Sequence, residues 1–153
     1  MNTLDVLKYG NQTVQRALDG LPEEAWQTSG VCGVWSVKDI IAHLTSYEGV
    51  LRDLLKSFVD GGSPPQSLRK LRDNDAEVAL RKEKTVKEVL AEYNEAHARV
   101  MELAAQIPAE TLRQNGTIPW YGMEYALDDF VVYAYYGHKR EHCAQIAVYR
   151  DTL

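Results

Sequence analysis

Residues 35–62 read WSVKDIIAHLTSYEGVLRDLLKSFVDGG, and this stretch decides the fold class. Ser36 and Asp39 match the capping-box pattern that opens a helix. Apolar residues then recur at steps of three and four until the paired glycines, which predicts one long amphipathic helix. The next residues, SPPQS, cannot continue it, because proline lacks the amide donor that a helix needs.

The same periodicity predicts three further long helices. Thr85 and Glu88 give a second capping box, which opens one of them. The three helices are expected over residues 3–20, 85–108 and 126–150, and a short helix is possible over residues 75–84. Because no stretch predicts a strand, we expect an all-α fold, a four-helix bundle, in a single domain over residues 1–153.

The composition of the chain argues against some binding partners and favours one cellular compartment. The formal net charge of -5 argues against a nucleic-acid surface, which needs clustered basic residues. No apolar run approaches the roughly 20 residues that span a bilayer, so we expect no membrane partner. The first residues lack a signal-peptide profile, and two cysteines, Cys32 and Cys143, make no disulfide framework. These features favour a cytoplasmic protein.

Three histidines form a pattern typical of a metal site. His138 and His142 are four residues apart on the last predicted helix, so both imidazoles project from one face. If that helix faces the helix that carries His43, three ring nitrogens can share one ion and leave a position open for water or substrate. The alternative is that these histidines only pack, as we expect for the fourth one, His97, as a hydrogen-bonded core or rim residue.

Residues 138–142, HKREH, also match the H-x-x-E-H pattern of inverted zinc proteases, with Glu141 as the base. We reject that interpretation, because the chain ends at Leu153, too soon after His142 to supply a further acidic ligand. Cys143 points about 100° away from its neighbour around the helix, so we expect a small buried side chain rather than a ligand.

Two segments carry a resemblance to a known family. The first has the form Trp-Ser-x-x-[Asp/Glu]-x-x-x-His and is matched by Trp35, Ser36, Asp39 and His43. The second is His-x-x-x-His followed by Gln-Ile and is matched by His138, His142, Gln145 and Ile146. Together they resemble the DinB-like superfamily of metal-binding four-helix bundles.

The resemblance implies an up-down-down-up bundle, frequent homodimers and a nickel- or zinc-type site on His43, His138 and His142. Characterised members include thiol transferases that use bacillithiol or a similar thiol, a mycothiol-dependent isomerase and metal-dependent amide hydrolases. We therefore expect a divalent-metal-dependent enzyme, a thiol-dependent S-transferase that acts on a small electrophile. Its co-substrate would be a low-molecular-weight thiol.

Two alternatives stay open at this point, a hydrolase that activates water and a non-catalytic homodimer that binds metal or ligand. Tyr47, one helical turn beyond His43, could orient a ligand or a leaving group, although tyrosine at such a position more often packs. Hydrolysis would need a base, for which Glu141, Glu48 and Asp39 are candidates. Asp39 could instead orient a ligand histidine.

Overall fold

The prediction of an all-α fold is confirmed. The computed structural model describes residues 2–69 and 73–153. Its helices are α1 Thr3–Leu18, α2 Val37–Val59, α3 Asn74–Ala79, α4 Val86–Ala105, α5 Ala109–Arg113, α6 Leu127–Phe130 and α7 Gly137–Arg150. A π-helical turn, Val131–Tyr136, joins the last two helices, and 3-10 turns lie at Glu23–Gln27 and Gln66–Arg69. The described ranges contain no β-strand, only an isolated bridge between Cys32 and Trp35.

The two capping boxes begin α2 and α4 as the sequence predicts. Ser36 Oγ accepts a hydrogen bond from Asp39 N at 3.2 Å, and Asp39 Oδ2 accepts one from Ser36 N at 3.1 Å. Thr85 and Glu88 repeat the arrangement at 3.1 and 3.2 Å. These bonds satisfy amides that the first turn of a helix leaves without partners, so they fix where each helix starts.

The short helix expected over residues 75–84 is wrong in its extent, because α3 ends at Ala79 and a turn follows. Thr85 adopts an extended backbone to cap α4, so the chain must leave the helical conformation before it. Side chains hold the turn: Arg81 pairs with Glu77 and Glu92, and Lys82 pairs with Asp39.

The last predicted helix, over residues 126–150, is also not continuous, because the π turn interrupts it. The amide of Gly137 donates to the carbonyl of Val132, five residues earlier, which inserts an extra residue into the turn. Tyr135, Lys139 and His142 are buried in this segment, while His138, expected to share a face with His142, is half-buried.

The bundle core consists of two apolar clusters. α2 packs along α4, and α1 packs along α7 and the π turn. One cluster is centred on Ile40, Ile41 and Leu44 of α2 with Tyr93 of α4 and Ile146 of α7. The other is centred on Leu51, Leu54, Leu55, Leu103 and Leu127. In the part of the chain that the structure describes, no helix has the length and apolar character to cross a membrane.

A buried charge network crosses the core and joins three helices. Glu48 of α2 is 0% exposed, and its Oε1 atom lies 2.5 Å from Nζ of Lys139 on α7. Its Oε2 atom lies 3.3 Å from Nδ1 of His97 on α4. Burial alone would raise the pKa of Glu48, but Lys139 and His97 outweigh it and hold that pKa below its ordinary value. His97 is therefore a hydrogen-bonded core residue, as predicted.

Lys139→Met should lower the free energy of unfolding by about 3–5 kcal/mol, because the carboxylate of Glu48 would stay buried without its cation. The measurement is urea unfolding followed by circular dichroism. The double variant Glu48→Gln/Lys139→Met should recover much of the loss, since a neutral amide can still bond to His97. Equal destabilisation in the single and double variants would show that the pair does not carry the effect.

Candidate metal centre

Three imidazoles from two helices meet in the structure. Nε2 of His138 lies 3.0 Å from Nε2 of His43 and 3.0 Å from Nε2 of His142. One nitrogen from each ring lies within 4.8 Å of the others. His43 comes from the second turn of α2, and the other two lie one turn apart on α7. The structure thus brings together the three residues that the sequence proposed as ligands.

Burial keeps the imidazoles of His43 and His138 neutral. His43 is 3% exposed, and burial followed by the charges of His138 and His142 lowers the pKa of His43 to about 3. Burial, then His142 and Lys139, lowers the pKa of His138 to about 4. Near neutral pH both rings therefore have unprotonated nitrogen, the form that coordinates a metal ion.

A hydrogen bond fixes the tautomer of His142. Its Nδ1 atom lies 2.8 Å from Oε1 of Gln145, and an amide oxygen only accepts, so Nδ1 carries the proton. The lone pair of Nε2 then points towards His138. Metal-binding histidines usually have such a partner, which sets the tautomer and the ring orientation.

The donor set fits a divalent ion better than it fits hydrogen bonds alone. A ring nitrogen holds at most one proton, so Nε2 of His138 cannot make linear hydrogen bonds to both neighbours. An ion about 2.0–2.1 Å from two nitrogens would space them by roughly 3.0–3.4 Å, which matches the two contacts of 3.0 Å.

Aromatic rings hold the histidines in place. The ring of Tyr47 lies 4.8 Å from that of His43 and 4.5 Å from that of His138. On the other side, the ring of Trp35 lies 4.9 Å from that of His43, and its Nε1 donates to Asp75 at 3.2 Å. Tyr47, proposed from the sequence as a catalytic residue, therefore lies in direct contact with two of the three histidines.

A cavity of about 510 Å³ opens beside His138. Its wall is mainly aromatic, with Tyr47, Trp120, Tyr121, Phe130, Tyr133 and Tyr135. Glu141, the other proposed catalytic residue, also lines it and is exposed. A second cavity of about 570 Å³ lies between α2 and α4 with a charged lining, and it contains none of the three histidines.

The other proposed bases lie outside this arrangement. Oδ1 of Asp39 bonds to Lys82, and Oδ2 bonds to Lys82 and to the amide of Ser36, so this carboxylate serves the start of α2. Glu48 forms a buried ion pair with Lys139. Both carboxylates are therefore engaged by other partners in the fold.

The sequence analysis names Gln145 only as part of a motif, and it does not predict the position of Lys139. The bond from His142 to Gln145 had a signal, because residues three apart share a helix face. Nothing in the sequence indicated that Lys139 is buried. Its neighbour His138 was expected to face inward, and adjacent residues of a helix diverge by about 100°. Cys143 is buried as predicted, and burial, only partly offset by Lys139, raises the pKa of its thiol to about 11.

A family model described as the DinB superfamily matches residues 7–146. The chain belongs to the DinB superfamily. Comparison with curated proteins and with solved structures finds no match. Membership of the DinB superfamily and the three-histidine group together fit a metal-binding enzyme.

Protein purified without a polyhistidine tag should contain about one divalent ion per chain, because the three histidines offer a single set of donors. His43→Ala, His138→Ala and His142→Ala should each lose it by elemental analysis. His97→Gln, the matched control, should retain it, since His97 bonds to Glu48 instead. An ion that persists in all three alanine variants would contradict the ligand assignment.

The metal-free protein should lose stability as the pH falls from about 6.5 to about 5. The folded pKa values of His43 and His138, about 3 and about 4, lie below those of the unfolded chain, so acid protonates the unfolded state first. We expect a loss of about 1–2 kcal/mol after allowance for solvent screening. Urea unfolding at several pH values, with chelator present, measures it.

The double variant His43→Asn/His138→Asn is the control for this pH dependence, and its stability should decline less over the same range. An equal decline in both proteins would assign the effect to other groups.

Proposed function

We propose that the protein is a divalent-metal-dependent enzyme that transfers a low-molecular-weight thiol to a small electrophile. The observation that carries the proposal is the convergence of three imidazoles beside an aromatic-lined cavity. His43, His138 and His142 would hold the ion, and nickel and zinc are both suited to imidazole nitrogen. The ion would supply one piece of chemistry, a lowered pKa for a bound thiol, which gives a thiolate near neutral pH.

The chain has no thiol suited to this task among the groups at the histidines. Cys143 follows His142 directly, but it is buried, and the raised pKa of its thiol, about 11, keeps it protonated. A protonated thiol is a poor nucleophile. The reacting sulfur would therefore come from a co-substrate, which supports a transferase that uses an external thiol.

The side chains of the cavity have separate tasks in the transfer. The thiol sulfur forms a bond to the electrophilic carbon. The bond from that carbon to the leaving group breaks, and the electron pair of the broken bond departs with the leaving group. The exposed carboxylate of Glu141 accepts the thiol proton and passes it to water. The hydroxyl of Tyr47 donates a hydrogen bond that orients the leaving group, and the aromatic wall limits the access of water.

Hydrolysis is the second candidate, and one observation favours it. Glu141 lines the same cavity as His138, so its carboxylate could take a proton from water instead of from a thiol. A non-catalytic role in metal or ligand binding is the third. We also propose a homodimer on the strength of the resemblance, and sedimentation at twice the chain mass would support it.

Zinc- and nickel-loaded protein should consume 1-chloro-2,4-dinitrobenzene in the presence of bacillithiol, mycothiol or glutathione. Turnover should require both thiol and metal, and His138→Ala should abolish it. Tyr47→Phe should lower kcat by about tenfold or more without loss of metal, because the hydrogen bond to the leaving group is removed. Tyr9→Phe is the matched control, since Tyr9 is 55% exposed on α1, and its kcat should be unchanged.

Different outcomes separate the three candidates. Turnover of amides or esters without any thiol would replace the transferase by the hydrolase. A bound ion without turnover in either assay would favour the non-catalytic role and contradict the proposal.

A further inference from the structure

The aromatic cavity beside His138 has the size and wall of a site for a flat ring. Its volume of about 510 Å³ falls within the range of about 300–1,000 Å³ typical of small-molecule sites. Phe130 packs edge-on against Trp120, Tyr121 and Tyr135, with ring centroids 5.8, 4.8 and 5.5 Å away. This mutual packing fixes the wall, and edge-to-face contacts of this kind also favour an aromatic guest.

The charge of the cavity discriminates between guests. Of the described residues that line it, Glu141 is the one with a carboxylic acid side chain. Of the cations on α7 next to Glu141, Lys139 is buried against Glu48, and Arg140 lies 5.8 Å from the ring centre of Tyr136. In the metal-free protein, an anion in this cavity would therefore meet the carboxylate of Glu141 and leave water without gaining a cation from the described residues of the lining.

The carboxylate of Glu141 affects the two reactants differently. Bacillithiol, mycothiol-type and glutathione-type thiols differ in charge, but those that carry carboxylates are disfavoured beside Glu141. An uncharged ring with a reactive carbon has no such conflict. It would lie against the aromatic wall with one edge towards His138 and Tyr47.

We propose that this cavity binds an uncharged aromatic electrophile and discriminates against anions, with Glu141 as the residue that sets the charge preference. The inference rests on the proposed function, because it names the substrate class of the same site. It concerns binding, so it can be tested with rings that do not react.

The test compares 2-naphthylmethanol with 2-naphthoate and with the saturated decahydro-2-naphthylmethanol by isothermal titration calorimetry. Metal-free protein is used for the charge comparison, so that the carboxylate of naphthoate has no ion to bind, and zinc-loaded protein is titrated alongside. The neutral ring should bind about tenfold more tightly than naphthoate and several-fold more tightly than its saturated analogue. Equal affinities for the alcohol and the acid would overturn the proposal.

Two pairs of variants locate the binding. Glu141→Gln should reduce the tenfold preference to about threefold or less, while Glu83→Gln, an exposed acid outside the cavity, should leave it unchanged. Val50→Phe should fill the cavity and abolish binding, while Val148→Phe, at a position that is 69% exposed, should not. Thermal melts of all four confirm folding, and binding that survives Val50→Phe would place the ligand elsewhere.

The results also separate this inference from the transferase. Selective ring binding without thiol turnover supports the cavity and contradicts only the proposed reaction. Thiol turnover with no preference for neutral rings supports the proposed reaction and contradicts the inference about the cavity. Affinity for 2-naphthylmethanol that weakens as the protein concentration rises would show that a second copy of the chain covers the cavity, and that outcome overturns the inference.

Discussion

The position of α7 along α2 is the constraint on which the rest of the structure depends. The buried pair of Lys139 and Glu48 holds the two helices in register, and each partner lies within one or two helical turns of a histidine. A slip of one turn would move α7 by about 5.4 Å. The contact of 3.0 Å between His43 and His138 could not survive such a shift.

The π turn makes this register possible. His138 and Lys139 are adjacent in the chain, yet one approaches the histidine cluster and the other enters the charged core. The extra residue between Val132 and Gly137 rotates α7 relative to the helix that precedes it. The π turn also carries Tyr133 and Tyr135, so the same local distortion places the aromatic wall of the cavity next to the cluster. The histidine cluster and the apolar cavity thus share one structural cause.

Much of this arrangement follows from local sequence rules, and the remainder depends on packing. Capping boxes at Ser36 and Thr85 are local, so both helix starts were predictable. Helix spacing predicted the meeting of His43 with the pair on α7 only on the condition that the two helices pack together, and the resemblance to the DinB-like superfamily implied the full set of three. The π turn could not be predicted from the hydrophobic pattern, because apolar residues occur on both sides of it. The partner of Glu48 was hidden as well, since a buried pair depends on how distant helices pack rather than on sequence spacing.

The central claim is that three imidazoles share one divalent ion. X-ray absorption spectroscopy of the metal-loaded protein tests it most directly, because the spectrum reports the atoms around the ion. The account predicts nitrogen neighbours at about 2.0–2.1 Å, with outer-shell scattering from three imidazole rings. Sulfur neighbours at about 2.3 Å, or an oxygen shell without imidazole scattering, would contradict it.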